Sequence, residues 1–335
     1  MAWRLAAALG IVSGALRTVG FWPLRVAATF DVEFFRKWRR GSALPEVLLP
    51  TGVRLHWREA GLASGPPASP PVVVWIHGGS VEDSSVMVAD LEPFFGRVRA
   101  LFPDTRGHGL STRFERVEDY TYARKAEDLL LWLDGLGIRE AVWGGASMGG
   151  ALSLWIAVHA PERARAVVSI SGPPFEPTPV DKQWWARQRP LVEAGRFEEY
   201  FDANVRLRMG EDALARLKAR PDRYAELTGA LRRHSVASLL ALLDETYSRV
   251  EWLDGCRRIR CPVQVIAGSE DSFPTVAMSR RVAEAIPGAR LHVVEGGPHF
   301  PNRTHRAEVQ AVIGAFLTTI GVSSTPPVAG RAGAG

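Results

Sequence analysis

"GGASMGG", residues 144–150, follows the apolar stretch "EAVW" and precedes "ALSLWIAVHA". A lone serine between glycines stands where a strand hands over to a helix. Residues 145–149 fit the pattern G-x-S-x-G. A serine on a sharp strand-to-helix turn takes a strained backbone, and any side chain two positions to either side would collide with the neighbouring strand and helix. Such a turn lifts the hydroxyl of Ser147 clear of a sheet, and the helix N-terminus beneath it favours developing negative charge. The short motif recurs by chance, so its structural surroundings must carry the reading.

Those surroundings alternate. "EVLLP" and "VRLHWRE" read as a hairpin with a turn at "TG". "PVVVWIHGG", "RVRALFPD", "EAVWGG", "RAVVSISG", "CPVQVIAG" and "ARLHVVEGG" are short apolar runs, several ending in glycine. Such runs mark strands buried on both faces. Helical patterns lie between them at 84–95, 121–136, 148–160, 275–286 and 304–320. Strands alternating with helices of this length predict a mostly parallel α/β sheet of about eight strands with helices on both faces. Reactive groups in such sheets collect at the carboxyl ends of the strands.

Residues 172–251 break the rhythm. They open on the loop "GPPFEPTP" and continue as four or five short helical stretches without a convincing strand. An all-helical insert between two sheet strands reads as a lid. The expected organisation is therefore an arm at 1–44, a core at 45–171 and 252–320, a helical cap at 172–251 and a disordered tail at 321–335.

A serine nucleophile needs a base, and the base needs an orienting acid. "VIAGSEDSFP" ends a strand with Asp271, and "LHVVEGGPHFP" ends the next with His299. Both would leave the sheet at the edge that carries Ser147. His292 lies within its strand and His305 near a helix start, so both read as structural. Glu270 competes for the acid role, with Asp271 favoured by its spacing from the strand end. An oxyanion hole requires two backbone N–H groups aimed at one point. Met148 supplies one, and Gly79, after "VVVWIH", is the candidate for the other. Ser80 either assists there or caps the next helix.

Composition sets the bounds. The chain has 335 residues, 46% hydrophobic and 23% charged, an ordinary globular profile. Its net charge of +5 resides in residues 1–40, which hold seven basic and two acidic side chains. The remainder is formally neutral, which argues against a nucleic-acid partner. The arm's apolar run between Arg4 and Arg17 is twelve residues, too short to span a bilayer. Three readings stand for it: a peripheral membrane contact with Trp3, Phe21 and Trp22 inserted, a packed extension, or, less favoured, a secretion signal. A cytoplasmic location is expected, and oligomeric state is not legible. The two cysteines, Cys256 and Cys261, form no disulfide framework and no metal motif.

With these pieces in hand, the chain resembles the α/β-hydrolase superfamily. "IHGG" at 76–79, "PDTRGHGLS" at 103–111, "GGASMGG" at 144–150, "GSED" at 268–271 and "GGPHF" at 296–300 carry the resemblance, over about residues 45–320. The elbow departs from the family's common Gly-His-Ser version, having Gly-Ala-Ser. The resemblance implies structural roles for His77 and His108 and a cap at 172–251. It also implies acyl transfer to water by Ser147, His299 and Asp271, without cofactor or metal. The expected substrate is a small or medium hydrophobic ester or lactone, in a pocket with Ser80, Phe175, Trp184, Trp185 and Phe300 as candidate lining. The same triad can also run C–C bond hydrolysis, perhydrolysis or acyl transfer to an alcohol. A related scaffold can serve as a non-catalytic ligand receptor.

Overall fold

The computed structural model of the protein describes residues 45–61, 70–79 and 82–322. The arm, Ser80 and the chain beyond Val322 lie outside the described residues. Eight strands form one sheet: β1 (Glu46–Leu48), β2 (Arg54–Ala60), β3 (Val72–Ile76), β4 (Arg99–Pro103), β5 (Ala141–Ala146), β6 (Ala164–Ile170), β7 (Val263–Gly268) and β8 (Arg290–Val294). Their order across the sheet is β1-β2-β4-β3-β5-β6-β7-β8. β2 pairs antiparallel with β1 and β4, and every other pairing is parallel. The hairpin at the antiparallel edge closes through Thr51-Gly52, where Gly52 takes φ 80°. β3 and β5 are almost wholly apolar, and all six residues of β5 are buried. Strands covered on both faces have no polar side to alternate with.

Helices cover both faces: α1 (Tyr122–Gly135), α2 (Met148–His159), then α3 (Pro179–Glu193), α4 (Phe197–Met209), α5 (Glu211–Lys218), α6 (Pro221–Leu231) and α7 (Val236–Ser248), and finally α8 (Val276–Ala285) and α9 (Arg306–Thr319). Local chemistry starts several of them. Thr178 and Asp181 form a capping box ahead of α3, with Pro179 at the first helical position. Ser235 caps α7 and Thr275 caps α8 through their side-chain oxygens. α9 closes through an exposed Gly321, at φ 85°, and the Val322 side chain is buried, so Val322, within the expected tail, is packed. Among the described residues no helix is long and apolar enough to cross a membrane.

The apolar pattern at 84–95 does not become one helix. It breaks into a 3-10 turn at Ser84–Val86, a four-residue helix at Val88–Leu91 and a second 3-10 turn at Glu92–Phe94. The breaks have local causes. The Ser84 N–H donates to Asp104 Oδ1 at 2.8 Å, and the Ser85 N–H to Asp83 Oδ1 at 2.8 Å. Trp75 Nε1 fixes Asp90 from the sheet at 2.9 Å, and Pro93 has no N–H to continue a helical ladder.

Helices α3–α7 lie between β6 and β7 and build their own apolar centre around Trp185, Tyr200, Phe201, Leu231, Leu242 and Tyr247. Buried charges tie this insert to the sheet layer. Lys125 of α1 is fully buried; its Nζ donates to the Tyr120 carbonyl and lies 3.8 Å from Glu245 Oε2 of α7. Glu245 also pairs with Arg249 at 2.7 Å, and Arg249 Nη1 donates to the Tyr122 hydroxyl at 2.8 Å. Burial pushes the Lys125 ammonium down to about 8, with Glu245 opposing that shift. On the core side, Arg106 grips Asp128 with two hydrogen bonds of 2.6 and 2.8 Å, anchoring the loop after β4 to α1.

His234, just ahead of α7, is buried with its Nδ1 3.0 Å from Ser238 Oγ. Burial drives its imidazole down to about 3, with Arg113 adding to the effect and a backbone hydrogen bond at Gly107 opposing it. The unfolded chain therefore binds a proton that the folded chain refuses between the ordinary histidine pKa and about 3. Stability attributable to this group is full above pH 6.5 and falls as the pH drops through that window, by about 1.4 kcal/mol per pH unit. Denaturant unfolding at pH 7.5 and 4.5 should show His234→Gln losing about 3 kcal/mol less between the two conditions than the wild type. An equal loss in both proteins would place the acid sensitivity elsewhere.

Candidate active site

The parallel register sets the site. Ile76 of β3 pairs with Gly145 of β5, Ala146 with Ile170 of β6, and Gly268 of β7 with Val294 of β8. The strands therefore end together, and Gly79, Ser147, Asp271 and His299 all follow carboxyl ends on one edge.

At the centre, Ser147 joins β5 to α2 with φ 54° and ψ −116°. A non-glycine residue held there stores of order 1–3 kcal/mol of strain. Its N–H donates to the Ile170 carbonyl at 2.8 Å, which pins the turn to β6. The flanking glycines are a steric requirement. A Cβ at Gly145 would lie 2.0 Å from the Ile76 carbonyl oxygen, and one at Gly149 would lie 2.1 Å from the same atom. Only bare backbone fits between the elbow and β3.

His299 Nε2 lies 2.9 Å from Ser147 Oγ, and His299 Nδ1 lies 2.9 Å from Asp271 Oδ2. Asp271 Oδ1 accepts the Phe273 N–H at 3.0 Å. Burial raises the Asp271 pKa, but the His299 charge, its hydrogen bond and the Phe273 N–H together outweigh it and leave the carboxyl below its ordinary value. Asp271 thus stays ionised beside the imidazole. Glu270 points to solvent and only its N–H is engaged, by the Gly297 carbonyl at 2.9 Å. His292 is held by Glu308 at 2.7 Å, and His305 Nδ1 by Thr304 Oγ1 at 2.9 Å.

The loop after β3 faces the elbow. A Cβ built on Gly79 would meet Met148 Cβ at 3.5 Å, so these two backbones are neighbours. Neither the Gly79 nor the Met148 N–H has a hydrogen-bond partner among the described residues. Gly78 is fixed by donation to Glu82 Oε2 at 2.9 Å, and Glu82 Oε1 is held by Arg303 Nη2 at 2.6 Å. His77 bridges the Gly78 carbonyl, 2.6 Å from Nδ1, and the Thr105 N–H, 3.1 Å from Nε2. His108 packs on His77 with ring centroids 4.6 Å apart and bonds to Thr105 and Arg106. Both histidines brace the loops around the site.

A cleft opens at Ser147 in two lobes. Phe175, Phe273, Pro173 and Tyr122 wall the first; Gly79, Glu82, Leu243 and Phe300 wall the second. Ser147, His299, Arg208, Thr246 and Tyr247 border both. Phe300 also packs edge-on against His299, with ring centroids 4.6 Å apart. Trp184 and Trp185 line neither lobe. Trp185 stacks on Tyr247 at 5.5 Å within the insert's centre and donates to Asp244 at 2.9 Å, while Trp184 packs against Tyr200 and Tyr247. Ser80 lies outside the described residues. Arg208, Thr246, Tyr247 and Tyr122 are among the lining residues that sequence reasoning missed. No local motif marks them, since each reaches the cleft through helix packing. Among the described residues no cluster of His, Cys, Asp and Glu has the makings of a metal site.

Fold and site together place the chain in a known class. Residues 73–312 match the model of the alpha/beta hydrolase family, and the protein belongs to that family. A relative from Caulobacter sp. (strain K31), RutD, whose name assigns it to carbamate hydrolysis, is 26% identical over 76% of this chain and 93% of its own length. The 3-oxoadipate enol-lactonase 2 of Acinetobacter baylyi is 29% identical over 59% of this chain and 71% of its own. Among solved structures, the enol-lactonase from Burkholderia xenovorans LB400 superposes with a TM-score of 0.70 at 24% identity, covering 82% of this chain and all of that one.

The steric reading of the elbow is open to test. Gly149→Ala forces a methyl group against the Ile76 carbonyl and should destabilise the fold by at least about 2 kcal/mol. A Gly137→Ala control tests a glycine whose Cβ would meet nothing within 4 Å, at φ 68°. Its loss should be confined to the left-handed backbone penalty of about 1 kcal/mol. Equal losses in urea titration would remove the packing explanation.

Proposed function

We propose that this hydrolase cleaves a small or medium carboxylic ester or lactone through an acyl-serine intermediate on Ser147. One observation carries the reading: His299 stands within hydrogen-bond reach of Ser147 on one ring nitrogen and of Asp271 on the other. With Nδ1–H donated to the ionised Asp271, the Nε2 lone pair faces the serine hydroxyl. As Ser147 Oγ attacks the carbonyl carbon, Nε2 takes the hydroxyl proton, and Asp271 stabilises the imidazolium that forms. The carbonyl oxygen becomes an oxyanion between the N–H groups of Gly79 and Met148, at the N-terminus of α2. Collapse of the tetrahedral intermediate breaks the C–O bond, and His299 returns the proton to the leaving oxygen. A water then attacks the acyl-serine, activated by the same imidazole, and releases the acid. Every step is served by side chains and backbone of this chain, so the reading includes no cofactor. The relatives named for enol-lactone and carbamate hydrolysis support acyl chemistry on this scaffold. The aromatic and proline walls of the cleft suit an apolar acyl or alkyl part.

A fluorophosphonate probe should label the wild type at Ser147, and a series of 4-nitrophenyl esters of increasing chain length should show a burst of nitrophenol. Ser147→Ala should lose labelling and at least about a thousandfold in kcat with its melting temperature within a few degrees of wild type. Retained turnover in that variant, or a wild type that neither labels nor bursts, would overturn the proposed mechanism.

A further inference from the structure

Four charged side chains and the His299 imidazole border the two lobes of the cleft, and all but one of the five are already engaged. Arg249 spends its guanidinium on Glu245 and the Tyr122 hydroxyl. Glu82 is held by Arg303 and the Gly78 N–H. Asp181 accepts from the N–H and hydroxyl of Thr178 in the α3 capping box. His299 bridges Ser147 and Asp271.

Arg208 is different. It sits in the last turn of α4, borders both lobes, and has no carboxylate within 4.0 Å among the described residues. It borders the cleft together with Tyr247, and its Nη1 is buried with no hydrogen-bond partner among the described residues. A buried guanidinium N–H without an acceptor is costly; Arg58, Arg113 and Arg303 each leave an Nε in that state too, but none of the three borders either lobe. The same helix shows the ordinary fate of an arginine: Arg206, two residues earlier, pairs with Glu211 at 2.7 Å on the outer surface. Arg208 instead faces the cleft that Ser147 and His299 border. A planar cation with a free N–H on the wall of a reaction cleft matches a carboxylate in charge and in fork geometry.

We propose that Arg208 receives a carboxylate of the substrate, so that the ester or lactone opened at Ser147 is an anion. This rests on the serine-hydrolase reading above and narrows its substrate class to acids that keep one free carboxylate beside the bond being cut. The product of such a reaction carries one more negative charge than the substrate. Arg208 acts here by binding, and the proton and acyl transfers stay with Ser147 and His299.

Two substrate pairs test the charge. One is 4-nitrophenyl hydrogen adipate against 4-nitrophenyl hexanoate, with the charge on the acyl part. The other is 4-acetoxybenzoate against 4-acetoxytoluene, with the charge on the leaving alcohol. In at least one pair the wild type should favour the anion in kcat/KM by about tenfold or more. Arg208→Gln should erase that preference, mainly through KM, and Arg208→Lys should restore part of it. Preference for the neutral member in both pairs, or an equal loss on both members in Arg208→Gln, would overturn the proposal. Calorimetric titration with adipate, which needs no turnover, separates the two readings. Adipate should bind wild type at least about tenfold more tightly than Arg208→Gln. Equal affinity, or no binding to either, sinks the anion site even if all esters are hydrolysed. Tight adipate binding beside a protein inert to every ester and to fluorophosphonate would instead sink the serine-hydrolase reading and keep the anion site.

Discussion

The Ile76 carbonyl oxygen is the fixed point around which the catalytic edge is assembled. Two segments press against it from β5 and α2, and both can do so only as glycine. Because Ile76 is also the last residue of β3, the same contact fixes where the His77–Gly79 loop begins. The nucleophile turn and the loop that faces it are therefore one packed unit. The strain at Ser147 persists because the surrounding structure over-determines it: a backbone bond to Ile170, a sheet pairing on each side, and a helix buried along nearly its whole length. Electrostatic catalysis needs donors that stand in place before charge develops. In the proposed mechanism a rigid backbone-to-backbone contact would supply that.

Around this unit the chemistry divides by layer. The sheet edge provides the groups that would make and break bonds, placed by strand ends whose spacing is dictated by parallel pairing. The helical insert provides part of the walls and, in Arg208, the one cleft side chain among the described residues whose charge is left uncompensated. An enzyme of this family can thus retain a reaction centre while its substrate is chosen by helices that touch the sheet only at a few places.

This division explains what could be read from the amino-acid string. Ser147, Asp271 and His299 follow glycine-punctuated strands, and strand ends in a parallel sheet converge, so their meeting was legible from pattern and order. Gly79 was legible for the same reason. The insert was recognisable as helical, but not which of its faces looks inward. Arg206 and Arg208 lie two residues apart in one helix, and no local feature tells that one seeks solvent and the other the cleft. Trp184 and Trp185 looked like lining aromatics, yet a small helical layer needs its own centre, and they fill it. At 84–95 the apolar spacing suggested a helix, but side-chain bonds from Asp83 and Asp104, with Pro93, divide it into shorter turns. Those partners come from β4 and its loop as well as from the segment itself, and periodicity contains no record of them.

The Lys125–Glu245–Arg249 cluster has a consequence for the cleft. α7 is riveted to α1 by the fully buried Lys125 ammonium against the nearly buried Glu245, and parting them would leave an unpaired buried charge at a cost of about 3–5 kcal/mol. α7 therefore behaves as a fixed post. α4, α5 and α6 pack on α7 through the apolar centre, with Tyr200, Phe201, Leu214 and Leu231 buried there, and exposed ion pairs such as Arg206–Glu211 and Arg232–Glu198, which water replaces cheaply, only link them to one another. The part of the cleft wall that α7 contributes, through Leu243, Thr246 and Tyr247, is thereby held in place against the sheet layer.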